Sequence, residues 1–313
     1  MKKISVLIPC YNEEENVVNI GKAVSEEIEN NLPMYDYEIC FIDNSSQDRT
    51  RELIEQLCNK NKKYKAIFNV TNFGQFNSPF YGICSLDGDC VIPMCADFQD
   101  PVEMIPVFVH EWEKGHRIVC GVKATSKENQ IINCFRRLYY KLIRGMSSVR
   151  MIENFIGFGL YDRSFVLLLK QLDDPLPFFR GIVAEYAAGY NIKTVKYNQP
   201  MRKAGKTHNS FYTLYDAAML SFTSYTKVGL RLMTWVGFVV GLIDVIVAII
   251  YLVLKFLNWN DFNAGYAPMI IGMFLIGAIQ LGFMGIMGEY ILNINTRVIH
   301  RPLVVEEKRI NFD

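Results

Sequence analysis

The 313-residue chain has almost no net charge, since 33 basic and 32 acidic side chains leave a formal charge of +1 at pH 7. Nucleic-acid-binding domains concentrate basic charge on one face, and acidic tails show as a run of like charges. The overall balance supports neither class. We therefore expect no nucleic acid among the partners of this protein.

Paired cysteine motifs are also missing. The eight cysteines all lie within the first 134 residues, and none of them forms a Cys-x-x-Cys pair. Disulfide frameworks and structural zinc sites are normally built on such closely spaced pairs. Reduced cysteines in the core of a cytosolic domain are the favoured interpretation, and a metal or disulfide framework is the alternative.

No long hydrophobic run stands at the N-terminus. The short apolar stretch 4–8 meets Pro9 and the acidic run 13–15 within a few residues. The apolar region of a signal peptide is longer than this. We expect residues 4–8 to form the first β-strand instead.

Strand-like and helix-like patterns alternate along the first 121 residues. The expected strands are 4–8, 37–42, 66–70, 90–94 and 118–121, and the expected helices between them are 14–29, 48–59, 75–86 and 102–114. This alternation predicts an α/β fold with a mainly parallel, doubly wound sheet. Ligands of such sheets bind outside the carboxyl ends of the strands. Polar clusters follow four of these strands, at 11–13, 43–46, 72–74 and 97–100.

The middle of the chain continues in the same style. It predicts a helix over 130–146, a glycine-rich turn at Gly157 and Gly159, another helix, and a strand over 193–197. A basic, flexible segment follows at 201–208. The helix expected over 210–225 carries Tyr and Phe on its apolar side, which suits a membrane interface, although a core helix would look similar.

Two long apolar runs close the chain. Residues 232–254 contain a single charge, Asp244, and residues 266–287 contain none. Each run exceeds the roughly 20 residues that span a bilayer as a helix. Basic residues flank the outer ends of both runs, so the positive-inside rule places both termini in the cytoplasm. Because Asp244 is costly against lipid, we expect it to face the other span, a neighbouring protomer or a polar ligand.

The segment 91–101 carries the strongest chemical signal. An apolar run ends in Asp97, Gln99 and Asp100, whose oxygens can hold a hard divalent cation and, through it, a diphosphate. Cys95 stands where a second carboxylate would serve, two residues before Asp97. Hard cations prefer oxygen ligands, so we expect weakened or altered metal binding. Asp100, which precedes Pro101, equally suits the N-cap of the next helix.

Several segments together resemble family-2 glycosyltransferases with the GT-A fold. The residues that carry the likeness are 8–14, 41–50, 72–74, 96–101, 135–140, 160–163, 179–181 and 288–291. The paired spans that end in Gly-Glu-Tyr narrow the resemblance to polyprenyl-phosphate glycosyltransferases, such as dolichyl-phosphate mannosyltransferase and bacterial undecaprenyl-phosphate glucosyltransferases. The resemblance implies inverting transfer of one sugar from a nucleotide-sugar, UDP first and GDP second, to undecaprenyl phosphate for cell-envelope glycan synthesis.

The resemblance also implies a set of site residues. The residues expected to bind the nucleotide-sugar are Pro9, Tyr11, Glu13, Ile42, Asp43, Asn72, Ala96, Asp97, Gln99, Lys123, Arg202 and Lys206. Asp97 would be the catalytic residue that holds Mg²⁺ or Mn²⁺, with Gln99 in support. Asp43 would bind the nucleobase, or else cap a turn or helix, a role for which Asp48 is better placed.

Each group of basic residues in the resemblance has a second possible role. Arg136 and Arg137 would reach the acceptor phosphate, although exposed solubilising residues would look the same. Arg202 and Lys206 would contact the diphosphate, or else form a solvated basic loop near anionic lipid. Lys123 stands where the family usually has an Arg.

By this resemblance the chain divides into four parts. They are a cytoplasmic catalytic domain 1–208, a juxtamembrane amphipathic helix 209–230, a two-helix transmembrane hairpin 231–292 and a cytoplasmic tail 293–313. The expected location is the inner (plasma) membrane, and protomers that pack through their spans would form a homo-oligomer.

The family pattern also has gaps in this chain. Gly157 and Gly159 replace an acidic and a basic residue of the family. A phosphate acceptor is largely ionised at pH 7 and needs no strong base, whereas a hydroxyl acceptor would need one, for which Glu153 is the nearest candidate. Two alternatives therefore stand beside enzymatic transfer to a polyprenyl phosphate: a catalytically weakened paralogue that regulates a partner, and a transferase for another lipid-linked or polyol acceptor.

Overall fold

The computed structural model describes residues 1–124, 149, 151–187, 189–202, 211–226, 228–257, 266–299 and 301–312. The strands are β1 Lys3–Cys10, β2 Asp36–Asp43, β3 Tyr64–Asn69, β4 Cys90–Pro93, β5 Ile118–Lys123, β6 Phe155–Asp162, β7 Ile192–Tyr197 and β8 Glu306–Ile310. The helices are α1 Val17–Asn31, α2 Thr50–Lys60, α3 Gly74–Ser85, α4 Met104–Glu113, α5 Arg163–Leu172, α6 Phe179–Tyr186, α7 Phe211–Tyr225, α8 Val228–Leu257 and α9 Tyr266–Ile299.

The strands form one sheet in the order β7-β5-β6-β4-β1-β2-β3-β8. Strands β1 to β4 run parallel to one another, whereas β6 runs antiparallel to β4 and β5, and β8 runs antiparallel to β3. The chain turns from β1 towards β2 on one side and later returns to β4 on the other. The order therefore reverses next to β1, and this is the position where open α/β sheets bind ligands.

Both faces of the sheet are covered by helices. Strand β1 is buried along most of its length, as a strand enclosed on both faces must be. Consecutive side chains of β1 point to opposite faces of the sheet, so Val6 and Leu7 enter two different apolar clusters. One cluster includes side chains of α1, α2 and α4, and the other includes side chains of α3, α5 and α6. The α/β fold predicted from the alternating pattern is confirmed.

The glycine-rich turn predicted at Gly157 and Gly159 is wrong, because both residues lie within β6. Gly159 pairs with Cys120 of β5, and a Cβ on Gly159 would stand 2.2 Å from the carbonyl oxygen of Val119. A glycine within a strand often marks such a close backbone approach. Gly159 lets two strands meet closely, and Gly157 has a backbone at φ 110°, a conformation that favours glycine.

The last strand was not foreseen in the sequence. Strand β8 lies beyond both long helices, yet it pairs with β3 and extends the sheet. Its sequence, Glu-Glu-Lys-Arg-Ile, has little β-propensity and is mostly exposed. A short charged strand at a sheet edge protects that edge from further pairing, which is the role that β8 fulfils for β3.

Helices α8 and α9 contain the two segments that are long and apolar enough to cross a membrane, Gly229–Val247 and Leu275–Ile299. Neither segment is buried within the chain. The C-terminal half of α9 is joined to α7 and to the residue after it by two hydrogen bonds. Tyr215 donates to Glu289 (2.9 Å), and Tyr290 donates to the carbonyl oxygen of Thr226 (3.0 Å). The Gly-Glu-Tyr segment therefore fastens the second long helix to the helix that precedes the first.

Candidate functional site

The loop after β1 is fastened to the loop after β2. Asn12, with a left-handed backbone at φ 55°, donates its N–H to Ser46 Oγ (2.9 Å), and Glu13 donates its N–H to Thr50 Oγ1 (2.8 Å). Asn and Asp tolerate this conformation better than most residues. Pro9, Tyr11 and Glu13 thus lie at the carboxyl end of the central strand, partly buried beside the loop of Asp43.

Asp43 ends β2 and is fully buried. Its Oδ2 atom accepts a hydrogen bond from the Ser46 N–H (3.2 Å) and lies 3.3 Å from Arg51 Nε. Its Oδ1 atom, by contrast, has no hydrogen-bond partner among the described residues. Burial raises the pKa of Asp43, and the Ser46 hydrogen bonds and the Arg51 charge oppose this rise. One oxygen therefore closes the turn, and the other is an unsatisfied acceptor.

A different carboxylate contacts the start of α2, whose N-cap position is held by Arg49. Asp48 Oδ1 accepts a hydrogen bond from the Thr50 N–H at 3.0 Å, where α2 begins. Ile42, the neighbour of Asp43, packs its side chain into the apolar cluster of α3, α5 and α6. Only the backbone of Ile42 is therefore available to a ligand at this edge.

The loop after β3 is held in place by Asn44. Its side-chain amide donates to Asn72 Oδ1 (2.8 Å), while its Oδ1 accepts from the Phe73 N–H (2.9 Å) and from Asn69 Nδ2 (3.1 Å). Asn72 itself is exposed at the edge. The carboxyl ends of β1, β2 and β3 are thereby joined into one hydrogen-bonded rim.

The loop after β4 presents Asp97, which is only 4% exposed. Asp97 Oδ1 accepts a hydrogen bond from the Gln99 N–H (3.0 Å), and Asp97 Oδ2 lies 2.9 Å from Arg202 Nη2. Phe98 adopts a left-handed backbone at φ 62°, which is costly for a bulky residue and frequent at functional sites. Ala96 is buried, whereas Cys95 is exposed.

Asp100 does not cap the next helix, so that alternative is wrong. Helix α4 begins at Met104 with Glu103 at the N-cap position. Asp100 is buried and accepts hydrogen bonds from the Cys95 N–H (2.9 Å) and from the Tyr197 hydroxyl (3.3 Å). Burial raises its pKa, and the nearby Lys123 charge acts against that rise. Asp100 closes the loop that presents Asp97.

A divalent cation can be tested against this donor set. Within the described residues no group of three or more His, Cys, Asp or Glu side chains could hold a metal ion. Asp97 nevertheless supplies one carboxylate, and Gln99, two residues further along the same loop, carries a side-chain amide oxygen. Mg²⁺ is commonly held by one or two carboxylates together with substrate phosphates and water. The residues present fit a cation that arrives with a diphosphate, provided that Arg202 releases Asp97.

Some predicted residues cannot be placed. Arg136, Arg137 and Lys206 lie outside the described residues, as does the helix predicted over 130–146. Lys123 ends β5, and its N–H donates to the carbonyl oxygen of Asn154 at 3.2 Å. Glu153 is exposed in the turn before β6.

Two residues of the site were missed in the sequence, Arg51 and Tyr197. Ser46, which belongs to the predicted polar cluster 43–46, closes the Asp43 turn. Arg51 and Tyr197 touch Asp43 and Asp100 respectively, but no motif marks either of them. Both are brought to the site by elements whose positions only the folded chain defines.

Comparison with known proteins gives a consistent result. The profile of the family described as Glycosyl transferase family 2 matches residues 5–166. The SfII prophage-derived bactoprenol glucosyl transferase of Shigella flexneri is 30% identical over 307 residues, which cover 98% of each chain. The putative glycosyltransferase CsbB of Bacillus subtilis is 31% identical over 299 residues, which cover 96% of this chain and 89% of the relative.

One solved structure illustrates the fold comparison. Glucosyl-3-phosphoglycerate synthase from Mycobacterium tuberculosis, in complex with Mn²⁺, UDP and glucosyl-3-phosphoglycerate, is 15% identical and covers 71% of this chain and 78% of its own. The TM-score is 0.48.

Proposed function

The chain belongs to glycosyl transferase family 2, and from that premise we propose that it moves one sugar from a UDP-sugar to the phosphate of a polyprenyl phosphate at the cytoplasmic face of the membrane. The observation that carries the donor half is the pair of buried carboxylates at neighbouring strand ends, Asp43 after β2 and Asp97 after β4, on either side of β1. The acceptor half rests on full-length relatives named bactoprenol glucosyl transferase.

The preference for UDP over GDP follows from Asp43. Its Oδ2 is engaged by Ser46 and Arg51, so only Oδ1 is open to a new donor. Uracil presents a single ring N–H, whereas guanine presents an N–H and an amino group side by side, which suit both oxygens of a carboxylate. Cytosine has no N–H at the matching ring atom. A buried acceptor left unpaired is costly, and a base with one N–H removes that cost.

Access to Oδ1 requires a local movement. The atom is out of contact with solvent in this structure. The base must therefore displace part of the protein that covers this atom. Segments that rearrange on binding are common at ligand sites.

Sugar transfer to a phosphate does not require a strong general base from the protein. An acceptor phosphate oxygen attacks the anomeric carbon opposite the leaving diphosphate, the carbon–oxygen bond to that diphosphate breaks, and the electron pair leaves with UDP, which inverts the configuration. A phosphate monoester with a second pKa of about 6 is largely ionised at pH 7. Positioning and charge stabilisation are what remain for the enzyme to supply.

Asp97, Gln99 and Arg202 would provide that stabilisation. Asp97 with Gln99 would hold Mg²⁺ or Mn²⁺, and a cation bound there supplies Lewis-acid stabilisation of the charge on the leaving diphosphate. Arg202, released from Asp97, would bind a diphosphate oxygen through charge-assisted hydrogen bonds. The two positive groups would then share the leaving group.

The membrane arrangement is part of the proposal. Strand β8 follows the two long helices and pairs with β3 in the same sheet as β1. A hairpin that crosses the bilayer must therefore begin and end on one side, which supports a cytoplasmic catalytic domain with both termini beside it. Asp244 is exposed on α8, so the other span does not cover it. A neighbouring protomer or a polar ligand is left to do so.

Direct transfer is the test. Purified protein in detergent is incubated with Mg²⁺ or Mn²⁺, undecaprenyl phosphate and a panel of UDP-, GDP- and CMP-sugars, and lipid products are read by mass spectrometry. We expect a mass increase of one sugar with a UDP donor, and release of UDP. Products formed only with GDP- or CMP-sugars would overturn the donor assignment.

A binding-only paralogue is the second candidate, favoured by Cys95 and by the Arg202 guanidinium on Asp97. It predicts nucleotide binding without transfer to any acceptor. Mild acid treatment of the lipid product distinguishes a polyprenyl phosphate acceptor from another acceptor. A product that withstands mild acid would indicate a linkage other than a sugar phosphomonoprenyl bond.

A further inference from the structure

Arg51 links the candidate nucleotide pocket to the far end of the chain. Its Nε lies 3.3 Å from Asp43 Oδ2, and its Nη2 donates a hydrogen bond to Glu307 Oε2 at 2.6 Å. The guanidinium carbon also lies 5.1 Å from the centre of the Phe68 ring, within the range of a cation–π contact. Three groups on three different strands therefore hold one side chain.

Glu307 reaches Arg51 because of an irregularity in β8. Phe68 pairs with Lys308 and Asn69 pairs with Glu306, so Glu307 is an extra residue between two consecutive pairs. A β-bulge of this kind re-aims side chains and is frequent beside active sites. Here the carboxylate of the extra residue contacts an arginine that touches the pocket.

The planar guanidinium suits this position. Arginine presents its donors in a fixed fork, so contact with Glu307 at one nitrogen restricts the orientation of the nitrogen that faces Asp43. Asp43 Oδ2 is then occupied, and Oδ1 is the remaining acceptor. Arg51 thus acts together with the Ser46 N–H, which also binds Oδ2, to leave Oδ1 as the open oxygen.

We propose that Arg51, held by Glu307 of the C-terminal strand, is a positioning residue that restricts Asp43 to one open oxygen and so favours a base with a single ring N–H. The inference rests on the proposed donor function, since it explains how that site selects uracil over guanine. It gives the C-terminal strand a role in donor choice as well as in closing the sheet edge.

Calorimetric titration of the full-length protein in detergent with UDP and with GDP, in the presence of Mg²⁺, tests the proposal. Glu307→Gln removes the charge that holds Arg51. We expect UDP to bind about 3- to 5-fold more weakly, as suits loss of one exposed ion pair. The preference for UDP over GDP should fall as well, because Oδ2, although still bound by the Ser46 N–H, can accept a second donor where Arg51 is no longer held.

Lys308→Gln is the matched control. Lys308 is the next residue of the same strand, and its ion pair is with Glu55 of α2 at 3.1 Å. If β8 merely needed to be anchored, both variants would weaken binding equally. We expect Lys308→Gln to keep the wild-type ratio of the UDP and GDP dissociation constants.

Arg51→Lys adds a second variant, since one ammonium lacks the fork that joins both carboxylates. We expect a larger loss of preference than in Glu307→Gln. If both Glu307→Gln and Arg51→Lys keep the wild-type ratio of the UDP and GDP dissociation constants, the role of Arg51 is overturned, while the proposed donor is not. Wild-type protein that binds UDP no more tightly than GDP would instead overturn the proposed donor, and this inference with it.

Discussion

Arg202 Nη2 lies 2.9 Å from Asp97 Oδ2, so the carboxylate proposed to hold the cation is paired with a guanidinium group. Asp97 is 4% exposed, and a buried carboxylate without a counter-charge would be costly. The arginine supplies that charge until a cation and a diphosphate arrive. The same arginine is then placed to bind the diphosphate, so metal and donor binding are expected to be coupled.

Removal of the charge on Asp97 should abolish transfer. For Asp97→Asn we expect kcat/KM to fall by at least about 100-fold, because the cation loses its carboxylate ligand. Initial rates of lipid product formation measure this loss, and membrane insertion should be unchanged. Asp87→Asn, which alters an exposed carboxylate paired with Arg163, should keep full activity. Full activity of Asp97→Asn would exclude the proposed metal role.

A carboxylate at position 95 should tighten metal binding. Cys95 is exposed in the loop that presents Asp97, and oxygen ligands suit Mg²⁺ and Mn²⁺ better than a thiol. For Cys95→Asp we expect a lower dissociation constant for Mn²⁺ in the presence of UDP, measured by electron paramagnetic resonance. Cys95→Ser, which adds no charge, is the control. Equal constants for wild type and Cys95→Asp would mean that this side chain faces away from the diphosphate.

UDP binding should weaken in acid through Asp43. Burial raises the pKa of this carboxyl, so the folded protein takes up its proton at a higher pH than an exposed aspartic acid does. A protonated Asp43 is a poorer acceptor for the base. Affinity should therefore be complete above the raised pKa and fall as the pH decreases through it.

The measurement for Asp43 is the UDP dissociation constant over a pH series from about 3 to 8, which includes the ordinary aspartate pKa of about 3.9. Asp43→Asn, which cannot titrate, should bind UDP more weakly and with a flatter profile. Parallel profiles for the two proteins would show that another group causes the acid loss.

Gly159 should tolerate no side chain. The Cβ of Gly159→Ala would lie 2.2 Å from the Val119 carbonyl oxygen, so β5 and β6 would have to separate. Overpacking of this kind typically costs about 1–3 kcal/mol, and we expect a lower thermal unfolding midpoint. Gly288→Ala, on α9 with open space around it, should leave the midpoint almost unchanged. The family's basic residue at position 159 would therefore not restore any lost chemistry here.

The sequence by itself determined much of the secondary structure, the edge of the sheet that holds the site and the two long apolar helices, because local patterns encode them. Alternating apolar runs gave the order of strands and helices through α4, because each element buries a face with its own period. The placement of Asp43 and Asp97 at one edge also followed, since parallel strands end on the same side of a sheet. The two apolar runs were equally readable, because their length exceeds what a bilayer requires.

The tertiary structure alone decided the contacts between distant segments. Strand β8 is charged and has no strand-like pattern, and it forms because the edge of β3 offers unpaired backbone groups. Arg51 and Glu307 are 256 residues apart, and no periodicity could join them. The pairing of Arg202 with Asp97 and the close approach at Gly159 likewise depend on how the sheet packs, which is a property of the whole chain rather than of any one segment.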